Sequence, residues 1–342
     1  MSVIRQDATT KAWVIIASER AKRPHDFKRA MPARAFPEHE ASCPFCPGHE
    51  MSTPPEVWRL SGPQGLGWAV RVISNKFAAL AGASEPQRRE SGPLFREMDG
   101  VGAHEVIIET PVHNRMMPLM TDAEIERVLQ AYQARFQALR GDPRVRYISI
   151  FKNHGEQAGT SLEHPHSQLV ATPIAPLRVR CTYESAIRHY DDTGRCLYTD
   201  LVEAELEAGV RVVQETADFV VFHPFASHVP FETWIAPKRH QSSFGQVARD
   251  ELAALAPALR ETLQALYDAL GNPDFNYIVH SAPIEDDSKH YYLWHIQILP
   301  RVTTIAGFEL GSGMFTTTMF PEASAAFMRK VIGRRTGHDG RG

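Results

Sequence analysis

Apolar and polar residues alternate along ten short stretches of this chain, and the spacing changes to a helical period in three others. The short stretches are rich in Val, Ile, Phe, Tyr and Trp, which is typical of half-buried β-strands. Strands are predicted at residues 13–17, 69–74, 104–110, 146–152, 166–171, 210–215, 219–222, 231–236, 275–280 and 292–299. Helices are predicted at residues 121–139 and 249–270 and from 321 to about 331, whereas residues 80–100 lack a period and predict a loop.

The order of these elements repeats along the chain. In each half a strand leads to a long helix, then to a second strand, and then to a strand that carries a His-x-Gln sequence, at residues 166–168 and again at 295–297. This repetition predicts an α+β fold made of two similar halves, residues 1–175 and 176–342. Each half is expected to be a mainly antiparallel sheet with helices packed on it, and the join lies near residues 173–200.

Composition narrows the class of protein. The 342 residues are 43% hydrophobic and carry a formal net charge of -3, which gives no reason to expect nucleic acid or an anionic membrane as a partner. The sequence has no run of 18 apolar residues and no apolar segment of a signal peptide near its start. We therefore expect a cytoplasmic protein.

The segment with the most candidate catalytic residues is 164–168, which reads HPHSQ and follows a loop with two glycines. In an extended segment the side chains of His164, His166 and Gln168 point to one face. Backbone N–H groups exposed in a glycine-rich loop suit phosphate oxygens. A neutral imidazole attacks phosphorus well near pH 7, and a neighbouring amide can donate to a phosphoryl oxygen. The pattern favours His166 as a covalent nucleophile, with Gln168 as a stabilising donor, over two structural histidines.

The CPFC sequence at residues 43–46 has the spacing of a zinc knuckle. Cys43 and Cys46 supply two ligands, and His113 and His164 are the candidates for the other two. A zinc ion held by all four would be a closed structural site that fixes the backbone beside the nucleophile. The alternatives are a redox pair or two plain thiols. Pro47 and Gly48 argue against a redox motif, which normally opens a helix.

These motifs together resemble the galactose-1-phosphate uridylyltransferase family of the histidine-triad superfamily. The resemblance extends from about Trp13 to Arg329. Its specific pieces are ERAKRP at 19–24, CPFC at 43–46, SNKF at 74–77, the segment 159–168, PFET at 230–233 and WHIQ at 294–297.

The resemblance implies two histidine-triad-like halves, a homodimer with active sites at the interface, and a ping-pong reaction. UDP-glucose would give its uridylyl group to His166 and release glucose 1-phosphate, and galactose 1-phosphate would then leave as UDP-galactose. The family's zinc ligands match Cys43, Cys46, His113 and His164, and Gln168 matches the residue that stabilises the intermediate. The implied substrate contacts are Asn153, Gly159 and Ser161 for phosphate and sugar, and Asn75 and Phe77 for the nucleotide. Arg20 and Arg23 match charge partners for the phosphates that reach over from the other subunit.

The chain departs from the best-known members in three places. Residues 161–164 read SLEH, where those members often have Ser, Asn and Pro. Glu184, His280 and His295 match a second metal site of some members, but Gln297 replaces its last histidine, which favours a non-metal role. Residues 307–314 are more similar to a branch that includes ADP-glucose phosphorylase, which has the same covalent histidine but a different base and acceptor.

Uridylyl transfer is the leading interpretation, and adenylyl transfer to phosphate is its nearest alternative. Two alternatives come from other classes. One is a zinc-stabilised nucleotide-binding protein without catalysis, and the other is a hydrolase of dinucleotides or nucleoside phosphoramidates.

Overall fold

The computed structural model describes residues 2–17, 23–28, 36–82 and 84–339. Its strands are β1 (Val3–Gln6), β2 (Trp13–Ile16), β3 (Glu56–Ser61), β4 (Trp68–Ser74), β5 (Arg88–Ser91), β6 (Phe95–Met98), β7 (Ala103–Ile108), β8 (Tyr147–His154), β9 (His166–Thr172), β10 (Val212–Glu215), β11 (Phe219–Phe222), β12 (Thr233–Pro237), β13 (Phe275–His280), β14 (His295–Pro300) and β15 (Phe315–Thr317). Its α-helices are α1 (Asp122–Arg140), α2 (Leu177–Thr193), α3 (Leu197–Ala208), α4 (Arg249–Leu270), α5 (Gly307–Ser312) and α6 (Pro321–Asp339). In this part of the chain no helix is both long and apolar enough to cross a membrane.

One ten-stranded sheet organises the molecule, in the order β10-β11-β12-β14-β13-β8-β9-β7-β4-β3. All of its neighbours are antiparallel. Strands β8 and β13 join the halves at the centre, with Phe275 opposite His154. Outward from this pair, β9-β7-β4-β3 on one side corresponds to β14-β12-β11-β10 on the other, with α1 and α4 at equivalent points. The predicted α+β fold is therefore confirmed, while the boundary at residue 175 stays a prediction because both halves share one sheet.

The main core lies between one face of this sheet and the helices α1 and α4, which pack on each other. Leu129 and Tyr132 of α1 and Leu259 of α4 are fully buried there. Each of the two leucine side chains contributes roughly 1.5–3 kcal/mol by leaving water. Thr121 and Glu124 form the capping box that starts α1.

The opposite face of the sheet is covered differently in each half. In the first half, the CPFC segment packs on Ile73, Val106 and Ile108. In the second half, α2 and α3 cover that face through Tyr183, Tyr198 and other apolar residues. The first half is therefore covered by a short cysteine-containing loop at the place where the second is covered by helices.

Several predicted elements were wrong in extent or were missed. Helices α2 and α3 occupy or follow the predicted join, and the hairpin β5–β6 lies in the predicted loop. Helix α6 continues to Asp339 instead of ending near residue 331. Strand β12 begins two residues late because Phe231 has a positive φ of 63°. Strand β14 begins at His295 instead of residue 292, because residues 291–294 form a segment without strand pairing.

Candidate active site and metal centre

Four predicted metal ligands meet on the outer face of the first half. Cys43, Cys46, His113 and His164 are all buried, and their ligand atoms lie within 4.8 Å of one another. The Sγ atom of Cys46 is 3.6 Å from Nδ1 of both His113 and His164, and the Sγ of Cys43 is 3.7 Å from Nδ1 of His164. The fold thus gathers residues that are up to 121 positions apart in sequence.

The geometry of this cluster fits a tetrahedral zinc ion. Zn–S bonds near 2.3 Å and Zn–N bonds near 2.0–2.1 Å require S···N separations of about 3.6 Å at the tetrahedral angle. Nε2 of His164 lies 2.8 Å from the carbonyl oxygen of Thr110 and donates to it, so Nδ1 keeps its lone pair for a metal. Burial raises the pKa of the Cys43 thiol, so a thiolate there needs a cation beside it. The cluster can therefore bind a metal ion.

His166 is the first residue of β9 and is only 7% exposed. Its Nδ1 lies 2.8 Å from the carbonyl oxygen of His164 and donates to it, which leaves the lone pair on Nε2. Burial lowers the pKa of His166 and keeps the ring neutral. Phe45 of the CPFC segment packs edge-on against the ring, with centroids 5.5 Å apart. His164 thus joins the metal cluster through its side chain and the candidate nucleophile through its backbone.

A cleft of about 500 Å³ opens at the ends of β8 and β9. Asn153, His164 and His166 line it, together with six residues of the loop that follows β8: Gly155, Glu156, Gln157, Thr160, Leu162 and Glu163. Gly155 and Gly159 have φ angles of 83° and 87°, which other residues rarely adopt. A side chain at Gly155 would also clash with the carboxylate of Asp274. The glycines are therefore required for the path of this loop, as the sequence indicates.

Asn153 is held rigidly at the floor of the cleft. Its Oδ1 accepts from Nδ2 of Asn276 at 2.7 Å, and its carbonyl oxygen accepts from Oγ1 of Thr160 at 2.9 Å. Gly159 faces Asn153, because a Cβ at Gly159 would lie 3.9 Å from Nδ2 of that residue. Ser161 is exposed on the same loop. These three predicted contacts therefore lie in one region, and their role in binding phosphate and sugar stays a prediction.

Gln168, Asn75 and Phe77 lie further along the same sheet face. Oε1 of Gln168 is 2.8 Å from Nε2 of His104, and Nδ2 of Asn75 is 3.0 Å from that same nitrogen. Oδ1 of Asn75 accepts from the backbone N–H of Phe77, whose side chain is 84% exposed. The sequence does not single out His104, although its position on the same alternating face of β7 is the signal that could have done so.

A buried polar network under His166 was also missed. Nζ of Lys152 is 2.7 Å from Oε2 of Glu109 and 3.1 Å from the carbonyl oxygen of His166. Oγ of Ser167 donates to Glu109 and lies 2.5 Å from the hydroxyl of Tyr132. Lys152 and Glu109 stand within apolar strand stretches, and a charged residue at such a buried position is the signal in the sequence.

Of the remaining predicted residues, none that the structure describes lines the cleft. Arg23 is exposed and its backbone N–H donates to Asp26, while Arg20 lies outside the described residues. Glu184 is exposed on α2. His280 and His295 stack with centroids 4.8 Å apart, and Nε2 of His280 lies 3.0 Å from Oε1 of Gln297. That pair is engaged in ring stacking and a hydrogen bond to an amide.

Comparison with known proteins shows the family. The family model described as the N-terminal domain of galactose-1-phosphate uridyl transferase matches residues 1–176, and a domain of unknown function, DUF4921, matches residues 118–336. The chain is 35% identical to ADP-glucose phosphorylase of Arabidopsis thaliana, over 96% of this chain and 92% of that protein. It is 29% identical to galactose-1-phosphate uridylyltransferase of Thermotoga maritima, over 97% of this chain and 99% of that protein.

Solved structures agree with these matches. An ADP-glucose phosphorylase from Arabidopsis thaliana with bound ADP-glucose superposes with a TM-score of 0.81 at 31% identity, over 96% of this chain and 99% of that one. A uridylyltransferase superposes with a TM-score of 0.75 at 28% identity, over 98% and 99% of the two chains. The chain belongs to the galactose-1-phosphate uridylyltransferase family of nucleotidyltransferases, and its predicted histidine-triad-like fold is confirmed.

Proposed function

We propose that this chain transfers adenylyl groups through a covalent intermediate on His166, with ADP-glucose as donor and inorganic phosphate as acceptor. The observation that supports the covalent step is the hydrogen bond from Nδ1 of His166 to the carbonyl oxygen of His164. It fixes the tautomer in which Nε2 holds the lone pair, and a neutral imidazole in that form is a nucleophile.

The proposed reaction has two balanced displacements at one phosphorus atom. Nε2 of His166 bonds to the α-phosphorus, the bond to the bridging oxygen breaks, and glucose 1-phosphate leaves with the electron pair. An oxygen of inorganic phosphate then attacks the same phosphorus, the N–P bond breaks, and ADP leaves. Gln168 stabilises both transition states by donating an amide N–H to a non-bridging oxygen. Its position two residues after His166 on β9 places both side chains on one face of the sheet.

We propose zinc as the metal of the cluster, because two thiolates and two imidazoles at tetrahedral separations are its preferred ligands. Cys43, Cys46, His113 and His164 would hold it, and it would supply a fixed anchor for the chain beside His166. The carbonyl oxygen of Thr110 accepts from Nε2 of His164 and thereby orients the imidazole ring.

The choice of ADP-glucose rests on similarity. The ADP-glucose phosphorylase matches this chain at 35% identity and its ligand-bound structure at a TM-score of 0.81, against 29% and 0.75 for the uridylyltransferases described above. A second candidate is transfer of uridylyl from UDP-glucose to galactose 1-phosphate, which the matching family model favours. The implied homodimer, the cytoplasmic location and the roles of Arg20 and Arg23 across an interface stay predictions.

A trapping experiment tests the covalent step. The protein is incubated with ADP-glucose or UDP-glucose labelled at the α-phosphorus, quenched in base, and examined for a base-stable, acid-labile label on the protein. We expect a label with the wild type and none with His166→Ala. His189→Ala is the matched control, because His189 lies on α2 and pairs with Asp200 away from the cleft.

The acceptor is then varied to identify the reaction. Release of ADP on adding phosphate to the ADP-glucose adduct supports the phosphorylase activity, and formation of UDP-galactose from the UDP-glucose adduct supports the second candidate. Release of nucleoside monophosphate with no acceptor present would instead indicate a hydrolase. A wild-type protein that binds both nucleotide sugars and forms no adduct would refute the proposal in favour of a binding protein.

A further inference from the structure

His104 lies beside Gln168 on the sheet face that carries the candidate nucleophile. Strands β7 and β9 are antiparallel, with Val106 opposite Gln168 and Ile108 opposite His166. His104 is two residues from Val106 on β7, so its side chain emerges on the same face, diagonal to Gln168. The 2.8 Å contact between Nε2 of His104 and Oε1 of Gln168 is this diagonal cross-strand pair.

A backbone contact fixes the tautomer of His104. The N–H of Ala79 donates to Nδ1 of His104 at 3.1 Å, so Nδ1 carries a lone pair. A neutral imidazole has one proton, which must then be on Nε2. Nε2–H donates to Oε1 of Gln168, and the amide nitrogen of Gln168 is turned away from His104.

The same tautomer determines whether the side chain of Asn75 can form a hydrogen bond with His104. Its Oδ1 is used by the N–H of Phe77, so its Nδ2 is the group that lies 3.0 Å from Nε2 of His104. Two donors face each other there, and neither accepts from the other. In this tautomer the hydrogen bond at Nε2 of His104 is therefore made to Gln168 and not to Asn75.

In the second half, both ends of the corresponding glutamine amide have hydrogen-bond partners. Gln297 corresponds to Gln168 in the repeated topology, and its Oε1 lies 3.0 Å from Nε2 of His280. Its Nε2 is used as well, because it donates to Oε1 of the buried Glu232 at 2.6 Å. Within the described residues, Nε2 of Gln168 has no such acceptor. The two halves thus share an oriented glutamine, but among the described residues the amide N–H groups have an acceptor only in the second half.

We propose that His104 is a positioning residue that holds the amide of Gln168 with its N–H groups toward the phosphoryl oxygens at His166. This inference rests on the proposed function. Without the His104 proton donor, the amide of Gln168 could turn by 180° and present its oxygen to an anionic phosphoryl group. That orientation would replace an attractive contact in the transition state with a repulsive one.

An isosteric pair of variants tests this role. His104→Gln keeps a donor near the position of Nε2, whereas His104→Glu presents a carboxylate that attracts the N–H groups of Gln168 and turns the amide round. The measurement is the single-turnover rate constant for formation of the base-stable adduct from α-labelled ADP-glucose, or from UDP-glucose if that is the donor. We expect His104→Gln to be slowed by about fivefold, the effect of one neutral hydrogen bond. His104→Glu should be slowed by about a hundredfold or more.

The Gln168→Ala background separates positioning from charge repulsion. If His104 acts through Gln168, replacing it with Glu in Gln168→Ala protein should slow the reaction little further. An equal slowing in both backgrounds would overturn the inference, as would equal rates for His104→Gln and His104→Glu. Absence of any adduct in the wild type would instead refute the proposed function. Matching thermal midpoints of the two isosteric variants would show that a loss of fold does not cause the difference.

Discussion

The ion pair between Lys152 and Glu109 gives a sharp stability prediction. The side chains of these residues are 2% and 0% exposed, and their charged atoms lie 2.7 Å apart under the backbone of His166. Lys152→Met removes the cation and keeps the length of the side chain. The carboxylate of Glu109 is then left in the core, and among the described side chains the hydroxyl of Ser167 is its remaining hydrogen-bond donor.

The expected cost follows from the loss of one partner of a buried pair. Breaking such a pair typically costs about 3–5 kcal/mol, because an uncompensated charge stays in the interior. Domains are stable by about 5–15 kcal/mol, so this variant should lose a large share of the total. Adding Glu109→Gln removes the stranded charge and keeps an acceptor for Ser167. The double variant should therefore recover most of the loss, within about 1–2 kcal/mol of the wild type.

Urea unfolding in a buffer that contains zinc measures the free energy of unfolding of the wild type, of Lys152→Met, of Glu109→Gln and of the double variant. A loss below about 1 kcal/mol in Lys152→Met would refute the reasoning, because surface ion pairs contribute that little. A double variant that is less stable than either single variant would refute it too. Since Nζ of Lys152 also donates to the carbonyl oxygen of His166, adduct formation by Lys152→Met should be slower than by the wild type.

Two further predictions concern the metal cluster and a buried histidine. Cys46→Ser removes the sulfur atom that lies closest to both histidine ligands. Elemental analysis should therefore show loss of zinc, and the thermal midpoint of unfolding should fall. Full zinc content in this variant would contradict the assignment. Burial lowers the pKa of His223 to about 3 from about 6.5 in the unfolded chain, so its contribution to stability is complete above pH 6.5 and is lost as the pH falls toward 3. His223→Asn should therefore lose about 2 kcal/mol less than the wild type between pH 6.5 and 5 in urea titrations, and parallel losses would contradict this.

The predictable part of the fold is the part with strong periodicity. Helix α4 and strands β11 and β13 have the predicted bounds, because long or fully apolar stretches end at clear boundaries. Helix α2 was missed because it buries few of its residues, Tyr183 and Ala186 among them, and the rest of its sequence is polar or charged. The hairpin β5–β6 is exposed and carries cross-strand charge pairs such as Arg89 with Glu97, so it shows no apolar alternation.

The metal cluster could be predicted because thiol spacing and residue type are visible along the chain, and the fold then gathers its four members as expected. The residues that support the candidate nucleophile could not be found in this way. Lys152 reaches the backbone of His166 and His104 reaches Gln168 across strand pairs, so their partners are set by register. Register follows from the whole sheet, which local sequence patterns do not specify.

The repeat shows why the His-x-Gln sequence alone does not identify the catalytic half. His295 repeats the backbone hydrogen bond of His166, since its Nδ1 lies 3.1 Å from the carbonyl oxygen of Leu293. Its ring, however, is stacked on Trp234 with centroids 4.3 Å apart, and burial lowers its pKa well below the usual range. His166 instead borders an open cleft beside a glycine-rich loop. A nucleophile needs both an oriented lone pair and room for a phosphorus atom, and of these two histidines His166 is the one that borders such a cleft.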